Sequence, residues 1–189
     1  MKPSELDQIV RSVKKGESDL YGQLVFNFQQ QIFKYCFHML GQLQEAEDVT
    51  QDIFLKGLER LDQYQEGTSF SAWLYKIAYH ECLNRINRAK TYNRLLRILS
   101  WSTTAVQAET SIPKLQFNQE LHGAMLQLNL KDRHIIWLRI VEENRFEDIA
   151  IQMNMSYAAV RKRYERAKDK LRRTIAIKED DKDGRSFSY

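Results

Sequence analysis

The segment RFEDIAIQMNMSYAAVRKRYERAKDKLRR, Arg145 to Arg173, decides the fold. Phe146, Ile149, Ala150 and Met153 recur at helical spacing and predict a short helix with one apolar face. Asn154 tolerates the left-handed conformation that ends a helix, and Ser156 is a good N-cap for a second one. In that second helix Val160, Tyr164, Ala167 and Leu171 fall on one stripe, which predicts its buried side. Ala158, Ala159, Arg161, Lys162 and Arg166 point the other way. Small residues at a helix start permit close approach to a groove, and the cations that follow suit phosphates and guanine edges. The pattern predicts a helix-turn-helix whose second helix enters the DNA major groove.

The helical period runs through the rest of the chain, and alternating strand patterns are scarce. With only 7 Gly and 2 Pro in 189 residues, the sequence predicts an all-α protein. Helices are expected over residues 4–15, 18–40, 45–61 and from Ser69 to about Lys90, with Gly16 and Gly41 as breaks. Residues 62–68 break the period and predict a loop. From Thr91 to Lys114 the composition shifts to Ser, Thr, Ala and Gln and ends at Pro113, although Arg94 to Trp101 remains apolar enough to prolong the fourth helix. Two further helices, 115–128 and 130–141, precede the helix-turn-helix. The expected organisation is therefore two small helical domains, 1–92 and 115–175, joined by a linker over 93–114. The charged tail 176–189 lacks periodicity and is expected to be disordered.

Charge is segregated along the chain. Between Gln42 and Glu66 seven acids face two cations, a net of −5, whereas between Ser156 and Lys178 nine cations face two acids, a net of +7. An acidic and a basic surface on one molecule imply two different partners. On the outer face of the acidic helix Asp48, Gln51 and Asp52 surround an apolar residue, Leu55, a candidate anchor for a protein contact. Cys36 and Cys82 lie in apolar helical surroundings and read as buried hydrophobes of a reducing compartment. His38, His80, His122 and His134 share no ligand or nucleophile spacing with them, so no metal, no cofactor and no enzymatic activity is expected. No signal peptide opens the sequence and no apolar run approaches membrane-spanning length, which predicts a cytoplasmic protein without membrane insertion.

Two blocks carry a resemblance: AEDVTQDIFLKGLERLDQYQEGTSFSAWLYKIAYHECLNR, Ala46 to Arg85, and LNLKDRHIIWLRIVEENRFEDIAIQMNMSYAAVRKRYERAKDKLRR, Leu128 to Arg173. In this order and joined by a short linker, they resemble a bacterial RNA polymerase sigma factor of the extracytoplasmic-function (ECF) group, over roughly residues 17 to 173. The chain has no room for the additional regions of the housekeeping sigma factors. A helix-turn-helix alone would fit a self-sufficient transcriptional regulator equally well. That alternative leaves the acidic helix and the aromatic loop unexplained.

The resemblance implies roles. Asp48, Gln51, Asp52 and Leu55 match the surface that docks on the clamp helices of the core polymerase. Tyr64, Phe70 and Trp73 match the region that receives a base flipped from the non-template strand, stacking on it or walling it off. Lys76, His80, Asn84, Arg85 and Arg88 would lie along the proximal promoter element. Many members carry Asn in place of His80 and Asp in place of Asn84, so the base preference is left open while the cations still reach phosphates. Ser156, Ala158, Ala159, Arg161, Lys162 and Arg166 match the reader of the distal element, with Asn154 replacing the usual turn glycine. Lys168, Lys170, Arg172 and Arg173 are left between phosphate or polymerase contact and plain solvation. The implied partners are core RNA polymerase, promoter DNA and an anti-sigma factor, often a membrane-bound one.

Overall fold

Among the described residues, each helix that the apolar period predicts is present. The computed structural model describes residues 3–99 and 119–184, and these two stretches belong to two separate compact units. Among the described residues there is no strand.

In the first unit α1 (Pro3–Lys14) leads through a 3-10 turn at Ser18–Leu20 into α2 (Tyr21–Leu40); α3 (Leu43–Glu59), a second 3-10 turn at Leu61–Gln63 and α4 (Phe70–Leu99) follow. Proline suits the first position of α1, where its missing N–H has no partner to lose. Gly41 ends α2 at φ 85°, with its N–H donating to the Phe37 carbonyl at 2.9 Å. Leu24, Ile32, Tyr35 and Met39 of α2 meet Ala46 and Ile53 of α3 and Leu74, Ala78 and Cys82 of α4, all fully buried. Each large apolar side chain so buried contributes roughly 1.5–3 kcal/mol. Cys36 and Cys82 are buried and unbridged, as small hydrophobes of this core. Tyr35 and Tyr75 meet edge to face at 5.1 Å. Where α3 passes Tyr21, Gly57 leaves room for the phenol, whose hydroxyl donates to the Phe54 carbonyl at 2.8 Å. Lys56 of α3 pairs with the largely buried Glu81 of α4.

Several boundaries differ from expectation. The predicted 18–40 helix opens as a 3-10 turn and becomes α-helical only at Tyr21. The third helix covers 43–59 rather than 45–61: Gln42 is extended (φ −125°, ψ 132°) and its carbonyl already accepts from Ala46 N–H, while Arg60 (φ −109°, ψ 12°) ends it. Leu58 of α3 is 38% exposed and lies off the buried stripe of that helix. The stripe runs through Ile53, Gly57 and Leu61, and Leu58 sits about 100° off it. The fourth helix runs past the predicted domain limit at residue 92 to Leu99, through the stretch from Arg94 that the sequence allows to prolong it; neither Gly nor Pro occurs between Phe70 and Leu99.

In the second unit α5 (Gln119–Leu126), α6 (Leu130–Ile140) and α7 (Phe146–Met153) each pack on α8 (Tyr157–Gly184). The core gathers Ala124, Ile135, Leu138, Ile149, Val160, Ala167 and Leu171. Asn129 caps α6: its Oδ1 accepts from Asp132 N–H at 3.0 Å, and its amide donates to Asp132 Oδ2 at 2.7 Å, a reciprocal cap. The predicted disorder from residue 176 is corrected in part, because α8 continues to Gly184. Loss of apolar periodicity removes a buried face but breaks no helix; Gly184 is the first Gly or Pro after Ser156. The predicted linker beyond Leu99, the first residues of the predicted 115–128 helix and residues 185–189 lie outside the described residues. Among the described residues no helix is long and apolar enough to cross a membrane, and no three His, Cys, Asp or Glu side chains gather as metal ligands do.

Candidate nucleic-acid interface

The turn between α7 and α8 is built as its residue types require. Asn154 adopts the left-handed conformation at φ 51°, ψ 52°. The following N–H, of Met155, closes back on the Ala150 carbonyl at 2.9 Å, the long bond of a Schellman turn. Ser156 then caps α8, its Oγ accepting from Ala159 N–H at 3.2 Å. Val160, Ala167 and Leu171 are buried as predicted, while Tyr164 is half-buried, its ring edge-on to Phe146 at 5.2 Å. The Arg139 guanidinium covers the other side of that cluster, 4.8 Å from the Phe146 ring centre.

This packing fixes what α8 offers to solvent. Ser156, Ala158, Arg161, Lys162 and Arg166 are exposed and Ala159 is partly so. The remaining cations divide. Arg163, to which the sequence assigns no role, turns inward and pairs with the buried Asp132 at 2.6 Å. Lys168 pairs with Glu165 at 2.5 Å and lies over the Tyr164 ring at 5.3 Å. Lys170 donates to the Gln127 carbonyl at 2.6 Å. Arg172 and Arg173 stay exposed. A helix start with small side chains and three outward cations suits a groove lined by phosphates.

In the first unit the α4 residues Lys76, His80, Asn84 and Arg88 are all exposed and repeat every four positions, so they form one stripe. Arg85 lies off that stripe. It reaches across to α3, donating to Asp52 Oδ2 at 3.1 Å and pairing with Glu45 at 3.4 Å. Sequence reasoning placed Arg85 and Asp52 on surfaces for different partners; the structure brings them together. Asp48, Gln51 and Leu55 remain exposed on α3, with Leu55 62% accessible.

Two further apolar residues missed by the sequence join that face. Leu58 is displaced outward as described, and Phe26 of α2 is 78% exposed. Grooves between α2 and α3 run past Gln29 and Gln51, one bordered by Phe26 and Phe33, the other by Val25, Leu55 and Leu58. Phe26 stands out of step with the Leu24, Phe28, Ile32 stripe, and that mismatch was the available signal.

The loop before α4 is more closed than its composition suggests. Tyr64 and Phe70 are both 2% exposed. Their rings meet edge to face at 5.3 Å, and Trp73 packs against both. Only Trp73 of the three keeps accessible surface. Tyr64 and Phe70 therefore form a closed aromatic backing, and Trp73 is the ring of the three that reaches the surface. The Tyr64 hydroxyl is shared between the Thr68 carbonyl at 2.7 Å and Asp7 Oδ1 at 3.1 Å. Burial, and then the bond to Asp7, push this phenol up to about 12. The loop turns at Gly67, φ 78°, with Thr68 Oγ1 donating to the Gln65 carbonyl at 2.6 Å. Ser69 caps α4 through its Oγ and Ala72 N–H at 3.2 Å, as the sequence predicts.

Comparison with known proteins matches residues 24–92 to Sigma-70 region 2 and residues 118–171 to Sigma-70 region 4. The ECF RNA polymerase sigma factor SigW of Bacillus subtilis is 27% identical over 176 residues, covering 88% of this chain and 94% of that protein. RNA polymerase sigma factor YlaC of the same organism is 29% identical over 162 residues, covering 83% and 90%. Among solved structures, the sigma factor RpoE of Bartonella quintana, in complex with the anti-sigma factor NepR, has a TM-score of 0.67 at 19% identity, covering 83% of this chain and 97% of that one. CnrH, in complex with the cytosolic domain of CnrY, has a TM-score of 0.64 at 20% identity, covering 90% and 97%.

Proposed function

This chain belongs to the sigma-70 family of RNA polymerase sigma factors, in its ECF group, and on that premise we propose that it binds core RNA polymerase and divides promoter recognition between its two units. The observation that carries the proposal is the separation of surfaces: an exposed acid-and-leucine face on α3 in one unit, and an exposed small-and-basic face on α8 in the other. A stand-alone regulator has no use for the first of these.

The α3 face, with Asp48 and Gln51 around Leu55, is the docking surface for the clamp helices of the polymerase. Acids steer the approach to a basic partner, and the apolar centre supplies the desolvated anchor. Leu58 and Phe26 extend that anchor. Asp52, held by Arg85, shapes the edge of the face and leaves Asp48 as its free acid. The α4 stripe of Lys76, His80, Asn84 and Arg88 tracks the proximal element, its cations on phosphates. Trp73, backed by Tyr64 and Phe70, receives an unstacked base of the non-template strand, and stacking of this kind contributes about 1–3 kcal/mol per base. The capture offsets the cost of taking the base out of the duplex. Arg161, Lys162 and Arg166 on α8 read the distal element, with Ala158 and Ala159 permitting the helix start to approach the groove.

The protein itself makes and breaks no covalent bond, and it acts in the cytoplasm on the polymerase and the chromosome. Its α2–α3 face also suits an anti-sigma factor that would compete with polymerase for the same apolar anchor. The test is core binding by full-length variants. Asp48→Arg with Leu55→Ala should weaken core affinity at least tenfold, while Arg161→Ala with Lys162→Ala should leave it unchanged and lower promoter occupancy by the complex. Duplex promoter retained tightly by the protein without core enzyme would overturn the proposal.

A further inference from the structure

The loop that receives the base is held from outside by a helix to which nothing so far assigns a role. On α1, Leu6, Val10 and Val13 are buried and fix the helix to the unit. One position further along, Asp7, Arg11 and Lys14 form the neighbouring stripe at helical spacing, and all three reach the loop. Asp7 accepts from the Tyr64 hydroxyl at 3.1 Å and from Gly67 N–H at 3.2 Å. Lys14 donates to the Tyr64 carbonyl at 2.9 Å, and Arg11 pairs with Glu66 at 2.6 Å. These contacts join residues 50 to 60 positions apart in sequence.

We propose that α1 is a brace that sets the 64–68 loop in its base-receiving conformation, with Asp7 as the main positioning residue. The inference rests on the proposed capture of an unstacked base beside Trp73. A loop without the brace would have to order itself at the moment of binding and lose affinity in doing so. Asp7 is suited to the task because one carboxylate holds two points of the turn at once. It fixes the Tyr64 ring that walls the site, and it fixes the backbone at Gly67, where the left-handed turn at φ 78° would otherwise be free to relax. Arg11 and Glu66 are exposed, so their pair adds little. Lys14, half-buried against a backbone carbonyl, is the second support.

The experiment uses the full chain assembled with core polymerase and a single-stranded oligonucleotide carrying the non-template strand of the proximal element. Asp7→Ala should lower retention of that strand roughly tenfold, the effect of losing two charge-assisted hydrogen bonds in part. Core affinity and occupancy of a duplex distal element should stay within about twofold of wild type on the same scale. Asp7→Asn keeps one acceptor and should fall between the two. Lys14→Met removes only the bond to the Tyr64 carbonyl and should show a smaller loss of the same kind, which keeps the test open if Asp7→Ala fails to fold. Wild-type strand retention by both Asp7→Ala and Lys14→Met would overturn the brace and leave the proposed function standing. No strand retention by the wild-type complex would overturn base capture itself, and the brace with it.

Discussion

Replacing Arg163 by Met should unfold the second unit far more easily than replacing any of its outward neighbours. The Asp132 carboxylate is 8% exposed, and its charged partner is the Arg163 guanidinium at 2.6 Å; the Asn129 amide supplies a second donor at 2.7 Å. At such contact the gross attraction is on the order of 4 kcal/mol at an effective dielectric constant of about 20. Stripping one partner from a fully buried pair costs about 3–5 kcal/mol, because the other charge is left uncompensated. Arg163 keeps 30% of its side chain in water, which screens the pair. About 2 kcal/mol is then the expected loss, equivalent to a fall in unfolding midpoint of roughly 10 °C for a unit of this size. The assay is urea unfolding of the full chain followed by Trp137 fluorescence, with Trp73 and Trp101 replaced by Phe. Asp132→Leu combined with Arg163→Met should recover part of the loss, since no charge is then stranded. A loss below about 0.5 kcal/mol, or strictly additive single and double variants, would refute the reasoning. Below its own midpoint, Arg163→Met should leave distal-element selection intact, because this cation faces Asp132.

Gly57→Ala should destabilise the first unit by about 1–3 kcal/mol, because a Cβ there would come within 2.6 Å of Tyr21 Oη and displace its bond to the Phe54 carbonyl; thermal unfolding reads this directly. Asn154→Val should cost about 1–2 kcal/mol, whereas Asn154→Gly should be nearly neutral, since only the β-branched side chain resists φ 51°. Burial, and secondarily Arg133, hold His122 below its usual imidazole value. The unfolded chain therefore protonates first as pH falls, and the stability that His122 contributes is full above about pH 6.5 and declines below it. His122→Leu should flatten that decline in an acid-side unfolding series; an unchanged slope would remove His122 as its source.

The helices and the helix-turn-helix were legible because both rest on local rules. Asn154 in the left-handed region, the Ser156 cap and the Val160, Ala167, Leu171 stripe are all set by residue type and spacing. What was not legible depends on which side chains meet across helices. Arg163 and Arg161 are the same residue type two positions apart, and only the buried Asp132 separates an internal tie from an outward cation. Arg85 sits among polar α4 residues in the sequence, yet it is turned to Asp52 and Glu45 of α3. Tyr64 and Phe70 lie in and beside a polar loop but are buried, because distant helices meet them: α1, some 50 to 60 residues earlier, is bonded to Tyr64 and Gly67, and Phe28 of α2 packs on the Phe70 ring at 5.2 Å. The continuation of α8 to Gly184 was missed because apolar period reports a buried face and not the helix itself, and no Gly or Pro precedes Gly184 in that helix.

The most direct test of the account is transcription in vitro from a genomic library with core polymerase and the full chain, mapping start sites for wild type and for Arg161→Ala with Lys162→Ala. The account predicts wild-type starts that share a proximal and a distal element at fixed spacing, and loss of preference at the distal element alone in the variant. Starts indistinguishable from those of core polymerase without the protein would contradict it.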